Sequence, residues 1–218
     1  MNQLKTLATA RPHLWYQAYW LFYLVTFFTL DRLISTPKYI IHCALDDLIP
    51  FCEWFFLPYC SWFFLLAGVT ASLWWCDTDA YDKLCKMMFS GMTFCLIVYV
   101  ILPNGLNLRP DLAGLGRENL GTFVMGLLWR ADSPTNVCPS IHCQSSAAMA
   151  LAFSRSRLTR GRPWLRALAW GWAGLICVST VFTKQHSVLD VVCGAALVLP
   201  WWWALYRRGG AAGQAPGA

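Results

Sequence analysis

Charge is scarce in this sequence. Asp, Glu, Lys and Arg make up only 13% of its 218 residues, whereas 57% are hydrophobic. A soluble domain of this length needs more polar surface, so the composition points to lipid as the main solvent. Despite ten cysteines, no Cys-x-x-Cys pair occurs. That absence removes the spacing expected of a zinc motif or a secreted disulfide framework. Cys52, Cys60, Cys95, Cys177 and Cys193 lie inside apolar runs and read as small fillers. The net charge of +6 is not gathered into a basic stripe on a polar surface, so no nucleic-acid partner is expected. There is no internal repeat. The first apolar run has no small-residue cleavage site and continues into "DRLISTPKY", so it is not read as a cleavable leader.

What is present is a series of long apolar runs. About 20 apolar residues span a bilayer as a helix, and six segments qualify: 14–30, 55–75, 87–103, 140–157, 165–182 and 187–206. Trp15, Trp74, Trp75, Trp164 and Trp201–Trp203 flank them as interfacial anchors. The fourth, "CQSSAAMALAFSRS", is rich in small residues that let helices approach closely, which suits an interior position. The segment 40–56 mixes apolar and acidic residues and is expected to form a short interfacial helix entering the second span, while the apolar stretch 119–129 is too short to cross and is expected to lie along the outer surface. The expected fold is therefore all-α, an integral-membrane bundle of six transmembrane helices with short interfacial helices on its outer side. One membrane domain is expected over 1–208, followed by a disordered Gly/Ala-rich tail at 209–218.

Six crossings put both termini on one side. Lys5, Arg11, Lys83, Lys86, Arg155, Arg157, Arg160, Arg162, Arg166, Arg207 and Arg208 fall on the terminal side. Arg32, Lys38, Arg109, Arg117, Arg130 and Lys184 fall opposite. The cluster "RSRLTRGR" decides the orientation: the termini are cytoplasmic, and 31–54, 104–139 and 183–186 face outward.

Three polar clusters share the outward side, where ionisable groups at membrane depth are costly and mark function. In "STVFTKQHSVLDVVCG", His186 and Asp190 are four apart and share one face if helical. The carboxylate would fix the imidazole tautomer and free its other nitrogen for attack. Lys184 adds a cation beside them. In "VCPSIHCQSS", Pro139 and Ser140 suit a helix start with free N–H groups for an anion, and His142 sits where it would donate a proton. In "YVILPNGLNLRPDL", the Arg109 guanidinium suits bidentate phosphate contact. Each alone has a bland reading: an interfacial His with a capping Asp, an ordinary capped helix, a headgroup-anchoring Arg. Together they make a phosphoryl-transfer set that needs no metal or other cofactor.

At these residues the sequence resembles the type 2 phosphatidic acid phosphatase superfamily, whose motifs have the forms KxxxxxxRP, PSGH and SRxxxxxHxxxD. "PSIH" (139–142) matches the second with Ile141 in place of Gly. "STVFTKQHSVLD" (179–190) keeps the Ser, His and Asp but has Thr180 in place of Arg. "RP" (109–110) closes the first, with Leu102 where the lysine stands. The motif-bearing core covers about 95–200. Ile141, a first motif opening "YxxxP" and the stretch "LDDLIPFCEWFFLPYCSW" are similar to the inositol phosphorylceramide synthase branch.

The resemblance implies His186 as the nucleophile that forms a phosphohistidine, Asp190 as its orienter and His142 as the acid. It also implies that Arg109, Lys184 and the Ser140 hydroxyl bind the phosphate. The expected substrate is a membrane lipid phosphate, the expected reaction hydrolysis, and the expected location an integral protein of the plasma membrane with an extracytoplasmic site. Transfer of a headgroup to a lipid or polyol acceptor is the alternative, and a non-catalytic lipid-binding protein is the third reading.

Overall fold

The structure is a computed structural model that describes residues 14–207. Lys5, Arg11, Arg208 and the tail 209–218 lie outside the described residues. The first helix, α1 (Leu14–Leu33), leads into a two-residue strand β1 (Tyr39–Ile40) and the short helix α2 (Ala44–Leu48). A 3-10 turn at Glu53–Phe55 runs into α3 (Phe56–Cys60) and α4 (Trp62–Cys76), followed by α5 (Thr78–Ile101), β2 (Asn104–Gly105) and α6 (Leu120–Ala131). The described residues end with α7 (Ile141–Ser154), α8 (Pro163–Phe182), α9 (Val188–Ala196) and α10 (Leu199–Trp202), which runs on as a π-turn.

The protein is an all-α membrane bundle. Among the described residues, four helical segments have the length and hydropathy of a crossing: Glu53–Cys76, Thr78–Ile101, Pro163–Phe182 and Val188–Tyr206. Their outer faces carry exposed Phe64, Trp75, Ile97, Leu168 and Val192, as lipid contact requires. The other two expected crossings are helices that fall short of the same criterion. The Trp and Tyr residues of α1 lower its hydropathy. Helix α7 has 14 residues, about 21 Å of rise against a hydrocarbon core of about 30 Å.

The third segment begins nine residues before the expected Met87. Asp79–Lys83 and Asp82–Lys86 ion pairs at i,i+4 carry α5 through a polar stretch that a hydropathy reading leaves out. Helices form in both of the short segments, α2 within 40–56 and α6 over most of 119–129.

Helix α7 is the hub, packed between α4, α5, α8 and α9. Nearly all of it is buried, including the whole run from Cys143 to Ala152. Its Ser and Ala residues permit this, and neighbouring glycines complete the fit. A Cβ at Gly91 of α5 would lie 2.0 Å from Gln144 Nε2, and that amide donates to Met87 O at 3.0 Å. At one end of the bundle three loop segments meet. Strand β1 pairs in parallel with β2, and Gly105 bridges to Thr135.

Candidate active site

The N-terminus of α7 is built by side chains from distant segments. Ser140 is the N-cap, and its Oγ accepts from Cys143 N at 3.3 Å. Tyr99 Oη donates to Pro139 O at 2.7 Å. Asn104 Oδ1 accepts from the N–H groups of Val137 and Cys138 at 3.0 and 2.8 Å, while its amide donates to Leu102 O and Cys138 O. The end of α5 thus holds the loop that presents "PSIH". On the other flank, Ser140 N donates to Asp190 O at 3.0 Å. Helix α9 can come this close because residue 194 is glycine: a Cβ there would lie 2.3 Å from Ser140 O.

The His186–Asp190 pair forms, though not on a shared helical face. His186 precedes the helix, and Ser187 is the N-cap of α9 with an extended backbone (φ −75°, ψ 157°). Asp190 is the third residue of the helix, and its Oδ2 accepts from Ser187 N at 2.8 Å in a capping box. The carboxylate that closes the cap also faces the imidazole. His186 Nδ1 lies 3.5 Å from Asp190 Oδ2, beyond a formed hydrogen bond. His186 Nδ1 and Asp190 Oδ1 are buried and make no hydrogen bond. The pair is assembled but not engaged.

His142 points toward the same place. Its ring centroid lies 5.8 Å from that of His186, 4.9 Å from Tyr59 and 5.0 Å from Trp62. Trp62 is fixed by donating Nε1–H to Ser145 Oγ at 2.9 Å. Aromatic rings at these separations hold the imidazole by edge and face contacts.

The two cations arrive at the site already hydrogen-bonded. Arg109 Nη1 donates to the carbonyls of Trp129 and Asp132, and Nη2 to Ser133 O and to Gln185 Oε1, beside His186. Its Nε is buried and unpartnered. Burial works against the Arg109 charge, which Asp132, Tyr59 and Asp31 partly restore. Lys184 Nζ donates to Asp46 O at 2.9 Å and Ile49 O at 2.5 Å. Burial lowers its pKa, opposed by Asp46 and Asp47. Both guanidinium ends and two of the three ammonium protons therefore face carbonyl or amide oxygens.

Two carboxylates not singled out in the sequence complete the surroundings. Asp46 on α2 is buried; its Oδ2 accepts from Ser187 Oγ at 2.6 Å and its Oδ1 from Val188 N at 2.8 Å. Burial disfavours its charge, but these bonds and one from Cys43 N outweigh burial and hold the carboxyl below the ordinary range. Asp132 is pushed the other way by burial, against the pull of His186 and Arg109. Tyr59, Trp62, Asn104, Asp46 and Asp132 went unread because each lies in an apolar or unpatterned stretch. The one available signal was the adjacent pair Asp46–Asp47 inside an apolar interfacial segment.

Among the described residues, no three His, Cys, Asp or Glu side chains are grouped to hold a metal ion. Neither the curated proteins nor the solved structures give a significant match to the chain. The family model of the PAP2 superfamily matches residues 84–213, more than half of the chain, and this stretch contains Ser140, His142, His186 and Asp190. On that match, and with these residues gathered at one end of a helical membrane bundle, the protein belongs to the PAP2 superfamily, a type 2 phosphatidic acid phosphatase-type family of lipid-phosphate chemistry.

Proposed function

We propose that this protein hydrolyses a phosphomonoester or pyrophosphate of a membrane lipid through a phosphohistidine. The observation that carries the reading is the imidazole pair: His142 and His186 at 5.8 Å, with Asp190 Oδ2 3.5 Å from His186 Nδ1. In the first step the free ring nitrogen of His186 attacks phosphorus, the P–O bond to the lipid breaks, and His142 protonates the departing oxygen. Movement of Nδ1 by a few tenths of an ångström engages the Asp190 carboxylate and stabilises the imidazolium-like ring. In the second step His142 removes a proton from water, which attacks phosphorus and releases inorganic phosphate and free His186. The Ser140 hydroxyl, Arg109 Nε and the charges of Arg109 and Lys184 stabilise the non-bridging oxygens, where charge accumulates.

The test is phosphate release from lipid phosphates presented to the full chain in detergent, with EDTA present. Acid-labile phosphate should be trapped on the wild type and not on His186→Ala. Full activity in that variant would overturn the mechanism. We place the protein in the plasma membrane with cytoplasmic termini and the site outside; labelling of a cysteine introduced in the 111–117 loop of intact cells checks this.

Transfer to a lipid or polyol hydroxyl is the second reading, as in the inositol phosphorylceramide synthase branch. It is favoured by burial: His186 is only 6% exposed and Ser140 not at all, and a site shielded from water favours a hydroxyl acceptor. Adding diacylglycerol or ceramide should then yield a new phospholipid at the expense of free phosphate. Phosphate alone, whatever the acceptor, removes this reading.

A further inference from the structure

The end of α7 remote from His142 carries a second polar depression. Ser154 stands 12 positions after His142 on the helix, about 18 Å of rise. It is a cleft of about 430 Å³ lined by Ser154, Arg155, Ser156, Arg160, Arg166 and Trp170. None of the three arginines forms an ion pair among the described residues. The Ser154 residue is 7% exposed, and its buried Oγ has no hydrogen-bond partner. A buried hydroxyl without a partner is costly, and rotation of the Ser154 side chain toward the cleft would give its Oγ an oxygen acceptor there.

A basic loop that only sets membrane orientation needs neither a cavity nor an orphaned hydroxyl. The neighbouring Arg157 belongs to the same run of arginines but lies outside the cleft. The C-terminal carbonyls of α7 and the uncapped N-terminus of α8 oppose one another in field. The arginines therefore decide the sign.

A mainly apolar groove of about 360 Å³ lies between α4 and α8, with Phe64, Gly68, Phe153, Leu168 and Trp172 among its walls and Arg162 also lining it. Phe153 with Ser154, Leu165 with Arg166, and Ala169 with Trp170 are adjacent pairs with one member lining each depression. A charged hollow flanked by an apolar trough has the form of a headgroup-and-chain site.

We propose that this cleft binds the phosphate of an anionic phospholipid, the arginines and Ser154 holding the phosphate oxygens and the α4–α8 groove holding an acyl chain. The site is separate from the His142–His186 centre and does not depend on the reaction assigned there.

The test titrates the full chain in detergent by native mass spectrometry with dioleoyl phosphatidylglycerol, dioleoyl phosphatidylcholine or inorganic phosphate. Arg166→Gln should weaken phosphatidylglycerol binding about tenfold, the size of one lost charge-assisted contact. The charge-matched Arg157→Gln should weaken it less than about twofold, and the zwitterionic lipid should respond to neither. Gly68→Phe fills the groove, where a Cβ meets nothing within 4 Å; it should weaken the lipid about threefold and leave inorganic phosphate untouched. Inorganic phosphate binding with the same Arg166 dependence, and no effect of Gly68→Phe on the lipid, would assign the cleft to a free anion and overturn the lipid. Equal losses in Arg157→Gln and Arg166→Gln, or no loss in either, would overturn the site. Should Arg166→Gln fail to fold, Ser154→Ala and Arg160→Gln carry the same comparison.

Discussion

Gly194 and Ser140 touch through backbone: a methyl group added at 194 would sit 2.3 Å from the Ser140 carbonyl oxygen. Backbone cannot rotate aside as a long side chain would, so α9 or the N-terminus of α7 must shift. Gly194→Ala is expected to destabilise the protein by about 1–3 kcal/mol, the usual range for overpacking. It should also lower phosphate release more than tenfold, because Ser140 N–Asp190 O, and with it the spacing of the two histidines, is disturbed. Thermal unfolding in detergent and an activity assay on the same sample read both effects. Unchanged kcat would separate this contact from catalysis.

Asp46→Asn replaces one acceptor by a donor that faces either the Ser187 hydroxyl or the Val188 N–H. The expected cost is about 2 kcal/mol of stability, from donors left without an acceptor, together with a fall in kcat at nearly constant KM. The pH dependence has a defined sign. The folded-state pKa of Asp46 is depressed, so the unfolded state binds the proton more readily and stability rises with pH. Its contribution is complete above an ordinary aspartate pKa of about 4 and is lost as pH falls through the lower folded value. Unfolding profiles between pH 3 and pH 6 should be steeper below about pH 4 in the wild type than in Asp46→Asn.

Arg109→Lys keeps a charge but not the fork that reaches Trp129, Asp132, Ser133 and Gln185. A loss of about 2–4 kcal/mol is expected, as several carbonyls lose donors at once. Limited proteolysis should open the 129–133 segment, and KM should rise along with the fall in stability. A KM effect with wild-type stability would mean that Arg109 acts on phosphate alone.

Trp62→Phe preserves an aromatic face for His142 and removes the hydrogen bond to Ser145. Its kcat should fall less than about threefold, whereas Trp62→Ala should lose about tenfold through the freed imidazole. Steady-state kinetics of the two variants, with Ser145→Ala as the partner control, distinguish ring contact from the hydrogen bond.

The helices were readable because lipid imposes long apolar runs, and the meeting of His142, His186 and Asp190 because two short motifs keep their internal spacing. What was not readable follows from distance and from dual use. Asp190 closes a helix cap as well as facing His186, so the separation of four was right while the shared helical face was not. Most donors of Arg109 and Lys184 are taken by oxygens of other segments, which no spacing rule reveals. The early start of α5 rests on ion pairs that lower hydropathy while supporting helix. Ser154 looked like one more small residue of α7; only the fold leaves its hydroxyl without a partner beside three arginines.

The clasp between Asp46 and Ser187 joins groups 141 positions apart. Such a contact closes a very long loop, and ordering a loop of that size precedes any gain from closing it. The turn that carries His186 is therefore finished only when α2 docks against α9. On the proposed mechanism, activity becomes a readout of complete assembly: a bundle that has gathered its apolar helices but not seated α2 has every motif residue in the chain and no clasp on the turn that carries His186.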